Sequence, residues 1–225
     1  DPNTMINEVD MGMTGTLPCL NKRGVEFAIR VCHALHMEID ELLCFDRKNY
    51  YYSDLPKGFQ ITQDKRPIGR NGYLMIEVDG EEKRIDIERL HMEEDTAKQL
   101  HLTDYSLIDY NRAGIPLIEI VTKPCIRSGK EASAYLEALR QVFLYTEVSD
   151  AKLEEGSMRC DVNVSIRPFG QEAFGTRTEI KNLNSISNVQ KAIDYEAGRQ
   201  QEVIESGGEV LQETRRYDEV EKVTT

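Results

Sequence analysis

The dipeptide Asp79-Gly80, set between two alternating stretches, constrains the fold more than any other feature of this chain. Leu74, Ile76 and Val78 occupy alternate positions before it, and Ile85 and Ile87 resume the alternation after it, toward His91. Asp-Gly supplies the positive φ angles that a two-residue hairpin turn needs. The spacing therefore predicts two antiparallel strands, each with one apolar face. A third strand is predicted over residues 116 to 121. Met158 to Ile166 reads as a fourth, with Cys160, Val162, Val164 and Ile166 alternating, and Glu179-Ile180-Lys181 as one more.

Helical spacing appears in three places. Asn21 is placed to cap a helix reaching about Met37, with Val25, Ala28, Ile29, Cys32 and Leu35 apolar. Ser128-Gly129-Lys130-Glu131 fits a capping box. It opens a helix with Ala132, Tyr135, Leu136, Leu139, Val142 and Phe143 on one face. Asn188 to Glu205 reads as the third, with Val189, Ile193, Val203 and Ile204 apolar and Gly207 as its stop. Residues 45 to 70 are aromatic, basic and rich in Pro and Gly, and read as an ordered loop region. Hairpins with a few amphipathic helices predict an α+β fold, a mixed or antiparallel sheet with helices packed on it. No βαβ alternation with a Gly-rich loop is read.

Composition removes several function classes. The 225 residues allow one large domain or two small ones. A formal net charge of -12 argues against broad binding to a nucleic-acid backbone, though not against a local basic groove. The 5 cysteines are odd in number and irregularly spaced, with no Cys-x-x-Cys, so neither a disulfide framework nor a zinc site is indicated. A reducing cytoplasm is the simplest reading. No apolar run of about 18 residues is present, so no membrane-spanning helix is expected. Asp1-Pro2-Asn3-Thr4 has no signal-peptide character. With no initiating Met and an end at Val223-Thr224-Thr225, the chain reads as an excised fragment.

The candidate chemistry begins at Asp109 to Pro124, a polar head, a Gly-x-Pro turn and an apolar strand with Glu119 at its centre. Leu117, Ile118, Ile120 and Val121 favour burial, and Glu119 would be carried in with them. A carboxylate in apolar surroundings costs roughly several kcal/mol unless it is paired, protonated or bound to a metal. Glu119 is thus either an edge-strand glutamate with its head in water or a ligand for a hard cation such as Mg²⁺. His91-Met92-Glu93-Glu94-Asp95 is either a solvated turn or the other half of such a site. In an extended chain Glu94 points with Leu90 and Met92, and His91 with Glu93. That parity suggests Glu94 as the acid beside Glu119.

Arg47, Lys48 and Lys57 stand among Tyr50, Tyr51, Tyr52 and Phe59. They read as surface charge over a tyrosine cluster, or as a basic wall for phosphates or a nucleic-acid end. Asp161 faces away from the apolar side of its strand. Lys181-Asn182-Leu183-Asn184-Ser185 is either a turn that holds a carbonyl or phosphate, or a helix entry with Asn and Ser as caps. No Walker loop and no Gly-x-Ser-x-Gly is present.

Several of these runs together resemble one family. Asp109 to Pro124, Phe45-Asp46-Arg47-Lys48-Asn49-Tyr50, Asp54-Leu55-Pro56-Lys57-Gly58-Phe59-Gln60-Ile61 and His91-Met92-Glu93-Glu94-Asp95 carry the resemblance. So do Glu155-Gly156-Ser157-Met158-Arg159-Cys160-Asp161, Glu179 to Ser185 and Gln212-Glu213-Thr214-Arg215-Arg216. In this order they are similar to the GatB family, the B subunits of the aspartyl/glutamyl-tRNA(Asn/Gln) amidotransferases. The resemblance implies one cradle domain over 1 to 225, like the glutamine synthetase and guanidino kinase catalytic domains. The family has a further N-terminal stretch and C-terminal helical and tail domains.

The implied reaction is ATP- and Mg²⁺-dependent activation of the side-chain carboxylate of Glu-tRNA(Gln) or Asp-tRNA(Asn), followed by amidation with ammonia from a separate glutaminase chain. The implied partners are that amidase, a small third chain of the same heterotrimeric complex, and aminoacyl-tRNA, with no membrane. By resemblance Glu94 and Glu119 are Mg²⁺ ligands with Glu93 nearby, and a His and a Glu from the family's N-terminal strand complete the set. Lys48, Lys57 and Asp161 would line an ammonia channel, and Arg47, Lys48, Lys181 and Asn182 would contact ATP. A non-catalytic tRNA-binding scaffold is the alternative. Thr96-Ala97-Lys98 stands in place of the family's Ala-Gly-Lys, Cys125 in place of Asp, and Glu147 in place of Gly. The first and last bear on the loops after Asp95 and Tyr145, because a Gly at positive φ does not freely become Ala or Glu.

Overall fold

Asp79 and Gly80 both adopt positive φ, 53° and 85°, and close the predicted hairpin. The computed structural model describes residues 1–225 and sorts them into two compact units. One comprises Asp1–Tyr73 with Asp86–Lys123, the other Leu74–Ile85 with Pro124–Thr225.

In the first unit, α1 (Lys22–Ala34) starts where the sequence placed its cap, with the Asn21 side chain accepting from the Arg23 and Gly24 N–H groups. It ends before Met37 because His36 turns to φ 54°. The Met37 N–H then bonds back to the Cys32 carbonyl at 2.9 Å and the His36 N–H to that of His33 at 3.1 Å. This is a Schellman closure with His where Gly is usual. The His36 ring stacks on Tyr73 at 4.3 Å.

Next come β1 (Glu38–Ile39), β2 (Asp46–Asn49), β3 (Phe59–Thr62), β4 (Gly69–Val78) and β5 (Glu81–Glu94). They are followed by β6 (Lys98–His101), β7 (Ser106–Asp109) and β8 (Pro116–Thr122). The main sheet runs in the order β1-β4-β5-β8, and its core includes Ala28, Val31, Cys32, Leu35, Ile87 and Leu90. A Cβ on Gly72 would stand 2.5 Å from the Leu35 carbonyl oxygen, so the end of α1 needs glycine there. The region read as a loop, 45 to 70, holds the antiparallel ribbon β2–β3, with Lys48 opposite Gln60. The buried residue of β3 is the polar Gln60, and the strands have only 4 residues each, too few for a period-2 signal. The pair β6–β7 is hidden in the sequence for the same reason.

The second unit holds the turn end of the β4–β5 hairpin, Leu74–Ile85, with α2 (Gly129–Tyr145), β9 (Val162–Val164), β10 (Thr178–Lys181), α3 (Ile186–Glu205), β11 (Thr214–Asp218) and β12 (Val223–Thr224). The α2 capping box forms by half. Ser128 Oγ accepts from the Glu131 N–H at 3.2 Å, but the Glu131 carboxylate takes the Arg127 N–H and Lys83 Nζ, both at 2.6 Å. Glu147, in place of the family's Gly, does adopt positive φ, 56°, and closes α2 through a Val148 N–H bond to the Phe143 carbonyl. Ala97 is buried without positive φ.

Ser185 caps α3, and the buried face of that helix is Val189, Ala192, Glu196 and Gln200, so of the apolar set the spacing suggested only Val189 is buried. The sheet order is β12-β11-β10-β9, and β10 pairs with β11 in parallel across α3. One βαβ unit is therefore present, though without a Gly-rich loop. The whole is mixed α+β with antiparallel pairs dominant and three helices. No helix is long and apolar enough to cross a membrane.

Candidate metal centre

The register of β5 against β8 assembles the centre. His91 lies directly opposite Glu119, and Glu93 opposite Leu117. Opposed residues of an antiparallel pair point to the same face, as do residues two apart on one strand. His91, Glu93 and Glu119 therefore share a face. His91 Nε2 lies 3.5 Å from Glu119 Oε2 and 3.9 Å from Glu93 Oε2. One ligand atom from each of the three residues lies within 4.8 Å of the others.

Glu119 is not carried into the core. β8 is the last strand of its sheet, and the Glu119 side chain is 52% exposed while those of His91 and Glu93 are almost covered. The glutamate is both an edge-strand residue open to water and a neighbour of the imidazole.

The two carboxylates titrate in opposite directions. Burial and the charge of Glu119 push Glu93 above the usual carboxylate range. The His91 imidazole holds Glu119 below it. The charge of Lys48 favours ionisation of both, and the Thr62 hydroxyl donates to Glu93 Oε2 at 3.3 Å. Two carboxylates held together, one of them reluctant to ionise, make a pair that a cation would relieve. Two oxygen donors suit Mg²⁺, and the added imidazole also suits Mn²⁺. The donor set fits a divalent cation.

The structure corrects the position of Glu94. Lys57 Nζ lies 2.8 Å from its Oε1, and the Ile61 N–H donates to the same oxygen at 2.9 Å. It points away from Glu119. The cause is a β-bulge between Ile87 and Arg89, which shifts the β5–β8 register by one. Continued without that bulge, the pairing of Ile87 with Thr122 would set Glu119 opposite Leu90, on the face of Glu94.

The basic residues divide by burial. Lys57 is almost covered, and its ammonium also lies 5.6 Å from the Phe59 ring centroid. Lys48 is exposed over the Tyr50 ring at 5.7 Å, and Arg47 lies over Phe59 at 4.9 Å. A shallow open cleft of about 450 Å³ is lined by Tyr51, Tyr52, Ser53, Leu55, Pro56, Lys57 and Gly58.

Asp161, Lys181 and Asn182 belong to the second unit. Lys181 Nζ lies 2.9 Å from Asp161 Oδ2 and 3.3 Å from Glu179 Oε1. Asn182 takes φ 67° and donates through Nδ2 to the Tyr217 carbonyl at 3.0 Å. With Ser185 as a cap, this run serves as the helix entry. His91 was not among the expected site residues. The signal was there, an imidazole and a carboxylate two apart on a strand.

Comparison with known proteins bears on the whole chain. The model of the GatB/GatE catalytic domain matches residues 1–225. A relative from Mesoplasma florum, named as the B subunit of an aspartyl/glutamyl-tRNA(Asn/Gln) amidotransferase, is 58% identical over 223 residues, 99% of this chain and 47% of the relative. A Staphylococcus aureus protein of the same name is 59% identical over 219 residues, 97% of this chain and 46% of its own length. The chain spans about half the length of the curated relatives it matches.

Proposed function

Because the chain belongs to the GatB/GatE catalytic domain family, we propose that it carries the carboxylate-activating step of a tRNA-dependent amidotransferase. In this reading ATP phosphorylates the side-chain carboxylate of Glu-tRNA(Gln) or Asp-tRNA(Asn), releasing ADP. Ammonia then attacks the acyl carbon and expels phosphate, leaving the amide. The observation that carries the reading is the convergence of His91, Glu93 and Glu119 beside the charge of Lys48.

Phosphoryl transfer depends mainly on positioning and on neutralising phosphate oxygens. Glu93, Glu119 and His91 would hold the cation. Bound there, Mg²⁺ would supply positive charge against the phosphates of ATP. Lys48 faces the same centre from the exposed side and would add a second cationic contact, with Arg47 as a further ATP contact, while ATP roles for Lys181 and Asn182 rest on the family resemblance alone. Lys57 and Glu94, paired and covered, keep their charges out of water. Covered in this way, the pair suits the wall of a path that keeps ammonia from bulk solvent and protonation. The family's Mg²⁺ role for Glu94 finds less support than that for Glu119, since Glu94 has Lys57 as its partner.

The reading extends to residues 1 to 225 as one cradle of glutamine synthetase or guanidino kinase type. It also includes an amidase partner that releases ammonia from glutamine, a small third chain of the complex, and a cytoplasmic setting.

The test is ATP hydrolysis by the full protein with its partner chains, with and without glutamyl-tRNA, for wild type and Glu119→Gln. tRNA stimulation that disappears in the variant, with glutaminase activity retained, is expected. No stimulation in the wild type would leave a tRNA-binding scaffold. Equal loss of both activities would remove the metal-ligand role of Glu119.

A further inference from the structure

β5 has 14 residues and β4 only 10, so the end of β5 runs past the start of its neighbour and leaves one edge without a strand. On the β8 side the ladder continues, with the Asp95 N–H donating to the Ile115 carbonyl at 2.8 Å. Alternate residues of a strand direct their backbone groups to alternate edges. Met92 and Glu94 therefore direct theirs to the open edge, where a buried N–H or C=O without a partner is costly.

Side chains take the place of the missing strand. Gln63 Oε1 accepts from the Met92 N–H at 3.0 Å and from the Ile68 N–H at 3.1 Å, while Gln63 Nε2 donates to the Cys44 carbonyl at 2.8 Å. Gln60 Nε2 donates to the Glu94 carbonyl at 2.7 Å. Gln63 is 2% exposed and Gln60 is buried, so neither competes with water for these bonds. Between them, the Ile61 N–H holds the Glu94 carboxylate and the Thr62 hydroxyl reaches that of Glu93. The backbone of β3 pairs with β2, so none of these contacts is sheet pairing. Consecutive residues 60 to 63 thus grip consecutive residues 92 to 94.

We propose that Gln60, Thr62 and Gln63 are positioning residues for the acidic centre. The two carboxamides fix the pleat that presents His91 and Glu93 to Glu119, and the Thr62 hydroxyl orients the Glu93 carboxylate. The inference rests on the metal-centre reading above, and it extends the site to a run outside the three candidate ligands.

The experiment compares the full protein as wild type, Gln63→Met, Thr62→Val and Thr62→Ser. Two quantities are read, Mn²⁺ affinity from the resonance of free Mn²⁺, and deuterium uptake of a peptide spanning residues 90 to 95. Thr62→Val is expected to weaken Mn²⁺ binding about tenfold with melting unchanged, and Thr62→Ser to restore it, as supporting groups around metal ligands do. Gln63→Met is expected to raise uptake in the peptide and to weaken Mn²⁺ binding as well. Wild-type affinity in both Thr62→Val and Gln63→Met would overturn the proposal. If the wild type binds no Mn²⁺, the metal reading fails by itself, and uptake decides the clamp: a rise confined to this segment supports it and unchanged uptake overturns it. If Gln63→Met does not fold, the two Thr62 variants decide.

Discussion

Glu93 and Glu196 are glutamates shielded from water, one in each unit, and their surroundings are opposite in kind. Glu196 is 0% exposed on α3. Its oxygens accept from Arg199 Nε at 2.9 Å and Nη2 at 2.7 Å, from Gln200 Nε2 at 2.9 Å and from the Thr224 hydroxyl at 2.8 Å. Burial alone would raise its pKa, but these donors outweigh it and the net shift is downward. Glu93 has one hydroxyl donor at 3.3 Å and a second carboxylate as neighbour, and its pKa moves up. A buried charge surrounded by donors ties elements together, here α3 to β12. A buried charge set against another charge leaves a deficit that a ligand can fill. The contrast marks the first unit's cluster as a site and the second's as a strut.

The largest effect should come from breaking the strut. Glu196→Gln leaves Arg199 with only the more distant Glu213 carboxylate, 3.7 Å away, as its charge partner and should cost about 3 kcal/mol, as broken buried pairs do. Urea denaturation of the full protein checks it, and a loss no greater than that of Glu93→Gln would abolish the contrast.

Filling the deficit comes next. Mg²⁺ or Mn²⁺ at a hundredfold excess over its dissociation constant should stabilise the wild type by about 2.7 kcal/mol. Glu119→Gln should lose most of that gain, and thermal melting with and without the cation reads both.

The smallest effect sharpens the comparison through pH. Glu93→Gln without metal should stabilise the protein at pH 7 by about 1 kcal/mol, as relief of a strained site does. The sign follows from the raised pKa of Glu93. Its contribution is favourable below the ordinary glutamate value and is lost as pH rises through its raised value. The advantage of the variant should therefore shrink as pH falls toward 5. Glu196, with a lowered pKa, contributes above the ordinary value of about 4.3 and loses that only in stronger acid. Melting curves of wild type and Glu93→Gln across pH 5 to 8 test this, and a constant difference would count against the charge conflict.

The three helix endings show how legibility varies with residue type. All three close with a positive-φ residue, namely His36, Glu147 and Gly207. Only Gly207 announces its role, since glycine takes that conformation at no steric cost. His36 and Glu147 are held there by the bonds from Met37 and Val148, which depend on where the next strand or loop goes. The N-caps Asn21 and Ser128 were legible because a cap bonds to a backbone group two or three residues away, while Ser185 was one of two readings of its run and caps a helix that starts two residues before the expected Asn188.

The sequence by itself determined what acts over a few residues. It set the caps, the Asp79-Gly80 turn, the α+β character, and the parity that puts His91 with Glu93 and apart from Glu94. Tertiary structure decided which of those faces meets Glu119. The bulge between Ile87 and Arg89 chose His91 and Glu93, and the mismatch in length between β4 and β5 opened the edge that Gln60 and Gln63 fill. The physical reason is the period of two in a strand. A shift of one residue, made about 30 positions away along the chain, exchanges one face for the other, and nothing local to Glu119 records it.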